Sequence, residues 1–346
     1  MLHLNHHADC ADGFLAAVLM RRYLEKTQPG AIIQTHACQY GRPLPLQPED
    51  TQPEDTIIFV DYTPEHDQGG ADVLTRFATG RFLEVYDHHE TAFWNPAKKA
   101  EPAKPGPLLE FMIRSRDNPP LYTPKIHYSP SAPNNEEHQV KAHTMAGWTL
   151  DMPTHSGASL VWSHTQSYSW PWVVEMVRFR DLGYAWTMAD APDLCPVCEE
   201  SLNLHAAIMR TIPRTFEAWS PLLDLLSTDD RAQELLQIGA NLRRTDETIL
   251  TALARASTMI TIGGHLVPVA ENIFSELKND LAHLLLRIHP SAPFAAVRRV
   301  DSTSGKMLYS LRGRPGPDQV NVGTIAYSYG GGGHAQAASF STLEPL

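Results

Sequence analysis

Three short apolar runs stop abruptly on acidic or histidine side chains, with helical spacing in the stretches between them, and this alternation leaves few folds open. Residues 2 to 4 lead into His6-His7-Ala8-Asp9-Cys10-Ala11-Asp12-Gly13, Thr56-Ile57-Ile58-Phe59-Val60 stops on Asp61, and Phe82-Leu83-Glu84-Val85-Tyr86 delivers Asp87-His88-His89-Glu90. Residues 31 to 37 read as a further strand. Strands alternating with helices predict a parallel sheet and an α/β fold, in which ligands gather at the carboxyl ends of the strands. Neighbouring residues of a strand face opposite ways, so Asp87, His88 and His89 cannot all serve one ion unless the chain turns there. They are expected to have different jobs.

At 346 residues the chain is longer than one hydrophobic core usually supports, so two domains are expected. The formal net charge of −11, without a long Lys/Arg run, argues against wrapping long duplex nucleic acid and leaves a short anionic substrate in a local pocket. Four cysteines are too few for a disulfide scaffold in a chain of this length. The start of the sequence lacks the basic and apolar regions of a signal peptide, and no apolar run approaches the ~20 residues of a membrane span. The expectation is a soluble cytoplasmic protein with no membrane association.

Residues 95 to 150 break the rhythm with many prolines and the polar run Asn134-Asn135-Glu136-Glu137-His138, and read as a surface insertion, with a short helical stretch over 107 to 113 as one option. A helix with a capping Ser156 restarts the fold, and residues 172 to 181 end on Arg180-Asp181. Cys195-Pro196-Val197-Cys198 has half of a zinc-knuckle spacing and no second pair downstream, so buried free thiols or a local turn are expected, with zinc or redox use as the lesser alternative. Ser227-Thr228-Asp229-Asp230 caps a long helix reaching about Arg255, read as a linker. Beyond it, residues 258 to 269 predict a hairpin around Gly263-Gly264, residues 275 to 288 a helix, and residues 294 to 300 and 306 to 312 a second strand pair. The expected organisation is a catalytic domain over 1 to 226, including the 95 to 150 insertion, a linker over 227 to 257, and a smaller α/β substrate-binding domain over 258 to 346.

Asp and His at several strand ends, with few soft donors, make a hard to borderline site suited to Mn²⁺ or Mg²⁺ more than Zn²⁺. Two such ions ~3.5–4 Å apart can serve in-line phosphoryl displacement. Near the end of the sequence, Gly330-Gly331-Gly332-Gly333-His334 would let backbone N–H groups approach an anion closely, and Arg312 and Arg314 could grip phosphate.

The order Asp12-Gly13, Asp61, Asp87-His88-His89, Asp181 and a late Gly331-Gly332-Gly333-His334 closely resembles the DHH family of phosphoesterases with its DHH-associated C-terminal domain, over nearly the whole chain except 95 to 150. The resemblance implies that His7, Asp12, Asp61, His88 and Asp181 hold two Mn²⁺ ions, or Mg²⁺ or Co²⁺ in their place, with Asp61 as the bridge. It makes Asp87 a ligand or an orienting residue, and has His89 contact the scissile phosphate or leaving oxygen. Arg312, Gly331, Gly332, Gly333 and His334 would hold another phosphate or the terminus of the substrate. Many members carry an Asp two positions before the second Asp of the first motif, where this chain has Cys10. It is closer to the subgroup reading His-x-Asn-Cys-x-Asp-Gly, with Asp9 at the Asn position; either Asp9 replaces the missing carboxylate or the first ion is held more weakly, and His6 competes with His7.

The expected activity is Mn²⁺-dependent two-metal hydrolysis of short oligonucleotides or of linear or cyclic dinucleotides to nucleoside monophosphates. The alternatives are a pyrophosphatase or phosphomonoesterase, against which the glycine-rich motif argues, and a nucleotide sensor with a weakened metal site. Oligomeric state is open, with a homodimer as one option.

Overall fold

The computed structural model describes residues 1–8, 10–40, 42–64, 69–79, 81–89, 92, 94–95, 104–105, 125–128, 155–166, 169–183, 196–271, 274–302, 304–314 and 320–346. The chain divides into two compact units, Met1–Trp94 with Pro105–Gln237, and Asn95–Lys104 with Ile238–Leu346.

The first unit is built on strands β1 (Leu2–His7), β2 (Ile33–Cys38), β3 (Thr56–Val60), β4 (Phe82–Asp87) and β5 (Lys125–Tyr128), joined in the order β2-β1-β3-β4-β5 with every neighbouring pair parallel. Four of these strands match the apolar runs of the sequence. The fifth comes from the stretch read as an insertion: residues 125 to 128 form the edge strand beside β4. The segment 107 to 113 lies outside the described residues. Helix α2 (Gly70–Ala78) covers one face, where Ile57, Phe59, Val85 and Leu83 meet Val73, Leu74 and Phe77. Helix α1 (Ala11–Thr27) lies against β1 and helix α3 (Gly157–Thr165). Every residue of α1 from Ala11 to Met20 is buried, and Ala16 and Ala17 allow the close approach. Helices α4 (Trp172–Asp181) and α5 (Pro196–Thr211) pack on each other. Cys10 and Cys38 are free. Cys198 is disulfide-bonded, which corrects the expectation of free thiols there; Cys195 lies outside the described residues.

Helix α6 (Asp230–Arg255) contributes residues to both units. The second unit holds β6 (Thr258–Ile262), β7 (His265–Glu271), β8 (Phe294–Val300), β9 (Met307–Gly313), β10 (Gly332–Gly333) and β11 (Ala337–Thr342) in a six-stranded mixed sheet ordered β10-β11-β9-β8-β7-β6. Strands β7 and β8 run parallel and the other pairs antiparallel. Alternation along β8 divides the core: Phe294 and Ala296 face helix α8 (Val322–Ser328), and Ala295 and Val297 face helix α7 (Lys278–Ile288). Among the described residues, no helix is long and apolar enough to cross a membrane.

The glycine run is part of this sheet. Gly332 and Gly333 pair with Ser339 and Ala338, and a Cβ on Gly331 would lie 2.1 Å from the Ser339 carbonyl oxygen. Only a residue without a side chain lets these backbones meet. Gly331→Ala is therefore expected to cost about 1–3 kcal/mol, as overpacking does. It should lower the thermal midpoint of the full chain, and an unchanged midpoint would show that the two backbones can part freely.

Candidate metal centre

The strand order 2-1-3-4-5 reverses direction between β1 and β3, the point at which open α/β sheets place ligands outside their carboxyl ends. In this chain the residues there are His7, closing β1, and Asp61, just past β3; Asp87 closes the adjacent β4. The register sets Val60 beside both His6 and Tyr86, so the three strand ends finish level.

Asp61 is the centre of the arrangement. It is the one non-glycine residue with positive φ (54°) among the described residues, a conformation that costs of order 1–3 kcal/mol and persists where the surroundings impose it. Its N–H donates to the Tyr86 carbonyl at 2.7 Å, and the turn brings a carboxylate that is 1% exposed between two histidines. Oδ2 faces His7 Nδ1 at 3.4 Å, and Oδ1 faces His88 Nε2 at 3.0 Å. These are close ion-pair contacts without hydrogen-bond geometry, so both Asp61 oxygens, His7 Nδ1 and Asp181 Oδ2 are buried atoms with no hydrogen-bond partner. Buried polar atoms are nearly always hydrogen-bonded, so an unsatisfied cluster of this kind has donor atoms open to a cation. The donor set of carboxylates and imidazoles fits a hard to borderline divalent cation.

Two helix starts close on this carboxylate. A Cβ on Gly13 of α1 would come within 2.7 Å of His7 Cβ and 2.9 Å of Asp61 Oδ2, and one on Gly157 of α3 within 2.6 Å of Asp61 Oδ1 and 2.8 Å of Asp12 Oδ2. The first turn of α1 carries Asp12, 1% exposed. Its carboxylate accepts from Ser156 Oγ at 2.5 Å and from the Ala158 N–H at 3.2 Å. The amino end of α3 thus holds an acid of α1 in place, as the helix dipole favours. Asp181, the last residue of α4, reaches His88 Nε2 at 3.3 Å.

Asp87 is wholly buried and is bound to other protein groups. Thr63 donates to its Oδ2, and Oδ1 accepts from the His89 N–H at 3.0 Å and pairs with His89 Nδ1 at 2.7 Å. The chain does turn after Asp87, and His88 and His89 separate: His88 joins Asp61 and Asp181, while His89 is fixed by Asp87. Tyr40, half-buried, stacks on Tyr62 at 4.8 Å and presents its ring to His7 and His89.

Within the first unit, donor atoms gather in three sets within 4.8 Å, namely His7, Cys10 and Asp61; Asp12, Asp61 and His88; and Asp61, Asp87 and His89. Asp61 belongs to all three. His6 bonds the His7 carbonyl through Nδ1 and packs edge-on against Phe14, so His7 is the histidine that meets Asp61. Asp9 lies outside the described residues. In the second unit, Arg312 donates to the Leu311 carbonyl and to Asn279 Oδ1, and His334 closes the turn before β11 through its N–H to Ala337. Arg314, expected as a phosphate grip, instead donates to the Ala292, Leu286 and His289 carbonyls around the end of α7. Ser156, Gly157 and Thr63 are the contributors that the sequence reading missed.

The charges push the acids apart. Burial would raise Asp61, but its contacts with His7 and His88 and the charge of His89 hold it well below the usual carboxylate range. Burial, reinforced by the Asp181 and Asp61 charges, lifts Asp12 well above that range. Burial alone would lower His88, yet Asp181 and Asp61 raise it to about 10.

No family profile and no curated protein matches the chain. Among solved structures, a DHH-domain protein described as a member of a family of ribosomal proteins is 13% identical, with 98% of this chain and 82% of that one aligned and a TM-score of 0.53. Other matches include RecJ in complex with Mn²⁺ from Thermus thermophilus (16% identity, 99% and 49% coverage, TM-score 0.43). A pGpG-specific phosphodiesterase from Vibrio cholerae also matches (14%, 98% and 92%, TM-score 0.38). The chain has the fold of DHH-domain proteins.

A histidine whose folded pKa is raised stabilises fully below its unfolded value, and that contribution is lost as pH rises through the folded value. Metal-free protein is accordingly expected to lose stability steadily between about pH 6.5, the unfolded histidine value, and about pH 10, the His88 value. Denaturant titrations across that range should show a falling midpoint. A flat profile would mean that His88 is not charged by its acidic neighbours.

Proposed function

We propose that the chain is a DHH-family phosphodiesterase dependent on divalent metal. It hydrolyses short oligonucleotides or linear or cyclic dinucleotides to nucleoside monophosphates. The observation that carries this reading is the Asp61 carboxylate, buried with neither oxygen hydrogen-bonded, and facing His7 on one side and His88 on the other. The order of the sequence motifs and the DHH-domain fold support it, and the acidic composition favours a short substrate.

His7 with Asp61 Oδ2 would hold one ion, and Asp12, His88 and Asp61 Oδ1, joined by Asp181, a second. Mn²⁺ suits these donors, with Mg²⁺ or Co²⁺ as substitutes. When bound, the two ions supply polarisation of a phosphoryl oxygen and activation of water.

The remaining work falls to protein groups. Asp87, held by Thr63, fixes the His89 ring through Nδ1 and favours its protonated form against the effect of burial. His89 would then offer a proton from Nε2 to the leaving oxygen, as general acids do. Arg312, Gly331, Gly332, Gly333 and His334 take the role of holding another substrate phosphate.

With Mn²⁺, the purified protein should convert pApA to AMP, and lack of turnover across di- to pentanucleotides and cyclic dinucleotides would refute the reading. Asp61→Ala should abolish turnover together with the rise in melting temperature that Mn²⁺ gives the unmutated chain. Thr63→Val, which removes the donor to Asp87 and keeps the shape, should lower kcat by roughly 10–100-fold, the usual effect of losing such a supporting hydrogen bond. Wild-type rates in this variant would detach Asp87 from the chemistry.

A further inference from the structure

Position 10 is where the chain departs from the carboxylate that the DHH motif offers. Cys10 is the residue before α1, in extended conformation (φ −116°, ψ 134°), and its side chain makes no capping hydrogen bond. It is free and incompletely buried. Its sulfur, a His7 ring nitrogen and an Asp61 oxygen all lie within 4.8 Å of one another. The Asp61 carboxylate, 1% exposed and without a hydrogen bond on either oxygen, independently marks that space as one lacking a partner. Bonds of ~2.0–2.3 Å from nitrogen, oxygen and sulfur donors let a single ion span three atoms so placed.

We propose that Cys10 is a thiolate ligand of the ion held by His7 and Asp61 Oδ2, and that this position therefore takes a borderline ion such as Co²⁺, Zn²⁺ or Fe²⁺ in preference to Mg²⁺. The proposal rests on the reading of Asp61 as a metal ligand. Binding forms a metal–sulfur bond as the S–H bond breaks, the proton leaves to solvent, and no group changes oxidation state. A cation held by His7 and Asp61 would favour the thiolate of Cys10, as it does wherever a thiol coordinates. The other half of the centre, Asp12, His88 and Asp61 Oδ1, offers only nitrogen and oxygen and suits a harder ion. One carboxylate thus divides two chemically unequal positions.

Cobalt distinguishes the halves because thiolate ligation adds a charge-transfer band in the near ultraviolet that nitrogen and oxygen ligands do not give. Metal-free full-length protein, without thiol reductant, is titrated with Co²⁺ and its spectrum recorded. The same is done for Cys10→Ser and for Cys38→Ala, the control for the other free thiol. The band should appear in the wild type, persist in Cys38→Ala and vanish from Cys10→Ser, which should still show the visible ligand-field bands of bound Co²⁺. Cys10→Ser should also bind Co²⁺ roughly 10-fold or more weakly, with Mg²⁺ affinity changed by no more than about twofold, since softness favours only the first. Ligand-field bands without the charge-transfer band in the wild type, or a band that survives in Cys10→Ser, would overturn the thiolate ligand and leave the metal centre standing. A wild type that binds no Co²⁺ would overturn both, and because the wild-type spectrum decides the matter, the test does not depend on the variants folding.

Discussion

A carboxylate taken out of water and given no hydrogen bond is among the costlier arrangements in a fold, and the first unit holds one in Asp61. Asp61 is turned into position by a backbone conformation that side chains other than glycine rarely adopt. Two histidines face its two oxygens, and two glycines of separate helices approach it too closely to carry a side chain. Structures tolerate such strain where the surroundings repay it. In the metal-free chain the two facing histidines offset part of that cost, and a bound cation would offset the rest.

The topology explains why the cost is borne at this point. Strands β1, β3 and β4 are neighbours whose carboxyl ends finish level, and the reversal of strand order lies between β1 and β3. A side chain placed at or just beyond the end of each strand therefore converges with the others from positions about 50 and 25 residues apart along the chain. The helices that follow add their amino ends, so that the Ala158 N–H steadies Asp12. The acids stay unequal because burial and the Asp181 and Asp61 charges raise Asp12, whereas contacts with His7 and His88 hold Asp61 low against its own burial.

Much of this was legible because it is local. Apolar runs that stop on Asp61 and Asp87 marked both the strands and their chemical ends, and the objection that one strand cannot aim Asp87, His88 and His89 at one ion was met by the turn that sends His88 to Asp61 and ties His89 to Asp87. The hidden parts are tertiary. Ser156 and Gly157 reach Asp12 and Asp61 from about 100 to 145 positions away along the chain, and nothing in a capping serine announces that contact. Thr63 follows Asp61 by two residues, yet its value depends on where β4 ends. Proline density concealed the edge strand at 125 to 128, since composition there outweighed a short run that pairs only through its neighbour β4. Arg314 donates to carbonyls at the end of α7, a use of guanidinium that the sequence alone does not separate from phosphate binding.

With Cys10 as a ligand and Asp61 shared, as proposed, the centre would be asymmetric, with sulfur, nitrogen and oxygen on one side and nitrogen and oxygen on the other. In such a centre the two Asp61 oxygens would serve two different ions. Diffraction at the manganese absorption edge from crystals grown with Mn²⁺ tests it most directly. Two anomalous peaks are expected flanking Asp61, one towards His7 and one towards His88. A single peak touching only one oxygen, or none beside Asp61, would contradict it.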